Sequence, residues 1–79
     1  STSTIKIKVN ANAIRFSNIL SLKDLFKSNK GKTKIEIEFI NADQKVGLLE
    51  IDSTYSINFQ DDIKNKILNI DGIEEVISS

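Results

Sequence analysis

The sequence predicts an α+β domain: a small two-layer unit with β-α-β-β-β-α-β order, a central antiparallel meander and two helices on one face. Three observations carry this. Residues 33–40 alternate strictly, with Ile35, Ile37 and Phe39 on one side and Lys34, Glu36 and Glu38 on the other. That is the period of a strand with one buried face. Two further apolar runs, 45–51 and 54–59, follow the turn formers Asn41-Ala42-Asp43-Gln44 and Asp52-Ser53, at spacings that suit hairpins. On either side of this meander, Ile, Leu and Phe recur at the three- and four-residue steps of amphipathic helices.

Taken in order, residues 4–9 form a first strand, with Ile5, Ile7 and Val9 opposed to Lys6 and Lys8. Asn10-Ala11-Asn12-Ala13 breaks it, and Ile14 and Phe16 lead into a helix built on Ile19, Leu22, Leu25 and Phe26. Either Ser17 or Ser21 caps its start, and Gly31 closes it in the left-handed conformation that ends helices. A crossover through this helix makes the first and second strands parallel. Their outward Lys6, Lys8, Glu36 and Glu38 then attract one another across the strands.

The next strand, 45–51, carries two apolar sets, Val46 with Leu48 and Leu49 with Ile51. A one-residue slip exchanges its faces. A three-residue turn buries Leu49 and Ile51, whereas a turn of two or four residues buries Val46 and Leu48. The losing pair becomes an apolar patch on the open face of the sheet. In the last meander strand, Tyr55, Ile57 and Phe59 share a face, which puts the Tyr55 ring in the core with a wet tip or makes it an anchor for a partner. Asn58 caps the second helix, whose first turn holds Asp61 and Asp62. Ile63, Ile67, Leu68 and Ile70 form its buried stripe and Gly72 ends it. Residues 73–77 are a final strand or a packed tail.

At 79 residues the chain is one domain, near the size at which folding buries only ~60% of the unfolded surface. Eleven basic and eleven acidic side chains cancel, which argues against a dedicated nucleic-acid or membrane-surface binder. Cysteine and histidine are both absent. With them go the thiol nucleophile, the usual general base and nearly every transition-metal site. No apolar run approaches ~18 residues and no signal peptide is visible, so a cytoplasmic location is expected. The opening Ser-Thr-Ser-Thr reads as the start of a C-terminal piece of a larger chain, with residues 1–3 disordered.

No catalytic constellation survives. Glu36 and Glu38 lie side by side on a solvent face of a strand. Asp61-Asp62 is explained by the helix dipole, and neighbours such as Glu74-Glu75 point in different directions. Lys30-Gly31-Lys32-Thr33 follows a helix and opens a strand, the reverse of a phosphate-binding loop. No catalytic residue, cofactor or metal site is therefore assigned, and the domain reads as non-enzymatic.

The order of signals resembles the C-terminal domain of the bacterial DNA polymerase III alpha subunit. The residues that carry the likeness are Ile5-Lys6-Ile7, Leu22-Lys23-Asp24-Leu25-Phe26, the turn at Gly31 and Ile35-Glu36-Ile37. It continues through Gly47-Leu48-Leu49-Glu50-Ile51, Thr54-Tyr55-Ser56-Ile57 and Ile70-Asp71-Gly72-Ile73-Glu74-Glu75-Val76. The likeness spans nearly all of residues 4–77, with a missing proline after the first helix, Lys32 after the glycine, and Asn58-Phe59 at the second helix entry as departures. It implies that Leu49 and Ile51 face inward. It also implies a non-catalytic protein-interaction module of a replicative DNA-directed DNA polymerase (a nucleotidyltransferase), one that docks the clamp-loader tau subunit during DNA replication. Partner contact falls on Tyr55, Val76 and Ile77 along the sheet edge, widened by the open-face pair Val46 and Leu48. The expected module is a monomer with weak or no direct nucleic-acid binding. Two other readings stand beside it: a single-stranded nucleic-acid binder, which needs a basic aromatic groove, and a small-ligand regulatory domain.

Overall fold

Alternation in 4–10 and 30–41 makes two long strands, and the thirteen-residue helix between them makes those strands parallel. The structure, a computed structural model describing residues 3–79, is an α+β domain with a four-stranded mixed sheet and two helices. The strands are β1 (Thr4–Asn10), β2 (Lys30–Asn41), β3 (Gln44–Glu50) and β4 (Ile73–Ser78); the helices are α1 (Phe16–Ser28) and α2 (Asp61–Leu68). Sheet order is β3-β2-β1-β4, with β1 parallel to β2 and the other pairs antiparallel.

The expected disorder of residues 1–3 falls partly on residues 1 and 2, which lie outside the described ones. Ser3 is described: its carbonyl accepts the Lys34 N–H at 2.9 Å, which extends the β1–β2 ladder by a residue.

One face of the sheet is a continuous apolar layer. Ile5, Ile7, Val9, Ile35, Ile37 and Val76 lie buried there against Leu22 and Phe26 of α1, Ile63 and Ile67 of α2, and Ile57. The opposite face is charged. Glu38 sits between Lys6 and Lys45 at 3.6 and 3.7 Å, and Lys8 reaches Glu75 at 3.7 Å. Of the attraction expected between the outward charges of β1 and β2, the Lys6–Glu38 ion pair forms, on the diagonal, whereas Lys8 turns to Glu75 of β4 and Glu36 forms an ion pair with neither lysine.

The register of β3 has an unexpected origin. Ala42 and Asp43 both adopt positive φ, 52° and 65°, between the paired Asn41 and Gln44. This is a two-residue hairpin turn, which by itself turns Val46 and Leu48 inward. A β-bulge follows at once: Ile40 pairs with Lys45 but Phe39 with Gly47. Val46 is the extra residue, and the bulge shifts the rest of the strand by one. Leu49 thus pairs with Ile37 on the helix face, as the resemblance implied, and Leu48 pairs with Glu38 on the open face.

The third meander strand expected at 54–59 does not form. Asp52 accepts the Thr54 N–H at 2.8 Å, and the N–H groups of Tyr55 and Ser56 bond back to the carbonyls of Asp52 and Ser53. These local bonds wind Ser53–Tyr55 into a 3-10 turn and take the donors a ladder needs. The chain then drops under the helices, where Ile57 bridges Lys30 and Thr33 at the start of β2. Residues 73–78 settle as a strand, antiparallel to β1.

Helix ends differ in the same local way. Asn18, in the first turn of α1, accepts the Arg15 N–H at 2.9 Å, so α1 starts at Phe16, ahead of both serines. Asn29 closes it, its amide donating to the Leu25 carbonyl at 2.9 Å. Gly31 is instead part of β2, where its missing Cβ admits the backbone of Ile57 and Asn58. α2 begins after Gln60 and not at Asn58, and ends at Leu68 before Gly72. Of its expected stripe, Ile63 and Ile67 are buried, Ile70 is half-buried and Leu68 is exposed. Gly72, at φ 91°, turns the chain into β4.

Candidate functional site

The helix layer does not cover the sheet evenly. α1 seats Leu22 and Phe26 in the core, while Phe16 in its first turn and Leu49 of β3 stay exposed. Between them runs an apolar groove of about 500 Å³. Ile14, Phe16 and Ile19 form one wall, Ile37 and Phe39 the floor, Leu49 and Ile51 the other wall, and Tyr55 the end. Its size falls in the range of small-molecule and peptide-anchor sites. Phe16 is 77% exposed and Leu49 50% exposed, a large apolar investment to leave in water beside a formed groove.

Local sequence explains the wall positions. Phe16, Ile19 and Phe26 repeat at helical spacing with Leu22, so one stripe serves both the core and the groove. On the far wall the bulge at Val46 brings Leu49 to the helix face. At the groove's end the 3-10 turn holds Tyr55. The Thr54 backbone N–H, and next its side chain, hold the Asp52 carboxyl below its ordinary range. The lining charges are Arg15 and Lys23, both cationic, and neither has an ion-pair partner among the described residues.

The five residues assigned to partner contact do not form one patch. Tyr55 ends the groove on the helix side. Val76 is 5% exposed and belongs to the core, because its pairing with Ile7 turns it toward the helices. Leu48 and Ile77 are exposed on the open face at opposite edges of the sheet, separated by the Lys6–Glu38 ladder. Val46 is exposed at the bulge. The residues assigned from the sequence do not include Phe16, Ile19 and Leu49 of the walls or Phe39 of the floor. The available signal was the stripe itself, which already begins at Phe16.

Among the described residues no group of three or more His, Cys, Asp or Glu side chains converges on a metal position. No described helix is long and apolar enough to cross a membrane. Set against known protein-family models, curated proteins and solved structures, the chain matches none.

Proposed function

We propose that this chain is a non-catalytic protein-docking module that receives its partner in the groove between α1 and β3. The observation that carries the reading is the pairing of a formed apolar groove with exposed aromatic and aliphatic walls, Phe16 and Leu49. Rigid rings next to a pocket are the usual anchors of protein interfaces. The partner suggested by the resemblance to the polymerase III alpha C-terminal domain is the clamp-loader tau subunit, in the cytoplasm, during DNA replication. The docking surface is thereby moved from the sheet edge near Val76 and Ile77 to the groove, with Tyr55 retained.

The test is calorimetry of the chain against the tau C-terminal domain of the same organism. Phe16→Ser and Leu49→Ser, each first shown to be folded, are expected to weaken binding by about thirtyfold or more, the ~2 kcal/mol of an anchor residue. Ile77→Ser, on the far edge, serves as the control and leaves affinity unchanged. Folded groove variants that bind like the parent place the interface elsewhere, and absence of parent binding removes tau as the partner.

The size of the groove favours one competing reading, a small apolar ligand. A groove open along its length, however, covers less of such a molecule than the 70–90% usual for small-molecule sites. A melting-temperature rise with a small apolar ligand and none with a protein partner would favour that reading.

A further inference from the structure

The outer edge of β3, where the groove opens, is unfinished in three ways. β3 is the end strand of the sheet, and among the described residues no segment pairs with its outer side. The Ile51 N–H bonds to the Ile35 carbonyl at 3.0 Å, and Leu49 pairs with Ile37. By the alternation of an antiparallel ladder, Leu48 and Glu50 then direct their N–H and C=O groups outward. Second, this edge exposes large aliphatics on both faces, Leu49 toward the helices and Leu48 toward the open side. A native edge strand is normally blunted against pairing. Here the bulge at Val46 and the charge of Lys45 blunt the first half; on the second half the one charge, Glu50, lies on the open face with Glu36 and leaves the helix side apolar. Third, the groove's charges are both positive, Arg15 and Lys23.

We propose that β3 takes an extended segment of a partner protein as a fifth strand. That segment is apolar where it flanks Leu48 and Leu49 and acidic where it meets Arg15 and Lys23. The inference rests on the docking reading above and names the conformation and chemistry of what docks. Strand addition satisfies the free backbone groups of Leu48 and Glu50, while the side chains set specificity. Complementary charge acts on the choice of partner and on the rate of encounter. The other free edge suits this less well: β4 presents Glu74 and Glu75 with Ile77 as its one exposed large aliphatic.

The experiment uses short synthetic peptides with a Val-Ile-Val-Val centre flanked by pairs of Glu, Gln or Lys, titrated into the chain and followed by amide NMR. The Glu-flanked peptide is expected to bind about tenfold or more tighter than the Lys-flanked one. It should shift the Leu48 and Glu50 amides. N-methylation at alternate peptide positions should abolish binding, while methylation at the intervening ones leaves it intact. Arg15→Glu combined with Lys23→Glu should reverse the preference.

Equal affinity for Glu- and Lys-flanked peptides, silent Leu48 and Glu50 amides, or an N-methyl scan without alternation overturns the proposal. So does a concentration-dependent dimer that protects the same two amides, because the occupant is then a second copy. The outcomes separate from the docking test. If tau binds through Phe16 while the β3 amides stay silent, docking stands and strand addition falls. If the peptides bind and tau does not, only the tau assignment is lost.

Discussion

The two flanks of the sheet are finished differently. On the β4 side, Ile63, Ile67 and Val76 are all buried, and the Asn10 N–H ties the Gly72 turn back at 2.8 Å. On the β3 side, residues of the same chemistry, Phe16 and Leu49, remain in water. Hydrophobicity alone does not decide what is core. Cover decides it: β4 lies against α2, whereas Leu49 of β3 borders an open groove. The closed flank supplies stability, and the open flank leaves apolar surface in water.

The largest effect should come from the closed flank. Ile67→Ala removes a side chain with no exposure, and should cost about 2–5 kcal/mol in denaturant unfolding. Leu49→Ala, on the open flank, should cost less than about 1 kcal/mol. Similar losses at the two sites would mean that the groove is closed in solution and the contrast is false.

Glycine substitutions sharpen the same contrast on a smaller scale. A Cβ at Gly31 would run into the Ile57 and Asn58 backbone, whereas one at Gly47 meets nothing within 4 Å. Gly31→Ala should therefore destabilise by about 1–3 kcal/mol, since only a backbone shift makes room. Gly47→Ala should be neutral or slightly stabilising, because alanine loses less backbone entropy in a strand. Thermal melts of the pair decide it, and a harmless Gly31→Ala would show that the 56–58 segment is not pressed onto β2.

The turn that starts β3 offers a gain. Ala42 holds φ 52°, a left-handed conformation that costs a residue with a Cβ about 1–2 kcal/mol. Replacing Ala42-Asp43 with Asn-Gly, the pair such turns prefer, should raise stability by about 1 kcal/mol without altering the groove. A loss of stability would mean that the turn geometry is held by something other than these two residues.

These positions also show what the sequence could tell. The first two strands, the parallel crossover and most of the buried helix faces follow from periodicity, because Ile5, Ile7, Ile35 and Ile37 alternate without interruption; Leu68, expected in the stripe of α2, is exposed. The reading failed where short polar side chains compete with the ladder. Asp52 captured the Thr54 N–H and converted an expected strand into a 3-10 turn. The residues leave the inward face of β3 open, and the two-residue turn alone gives the wrong one, since the deciding bulge leaves no compositional mark. The groove was half legible. Its helical stripe is written in the sequence, but which strand residues face that stripe depends on pairing between distant segments.

The smallest expected effect concerns pH and the loop that holds Tyr55. No histidine is present, so stability should be nearly flat between about pH 6 and 8. Asp52 acts lower. Its carboxylate is favoured in the folded state chiefly by the Thr54 backbone N–H, which lowers its pKa from the ordinary 3.8. A depressed folded pKa means stability that is present above the unfolded value and lost as pH falls through the folded one. Asp52→Ala should therefore slightly destabilise the protein at neutral pH and flatten the part of its acid loss that starts near 3.8. Asp52→Asn keeps an acceptor for the Thr54 N–H and should fall between the two. Tyr55 is the single tyrosine and there is no tryptophan, so its fluorescence reads this loop directly. If parent and Asp52→Ala lose their tyrosine signal in parallel down to low pH, the Asp52 bond does not hold the end of the groove.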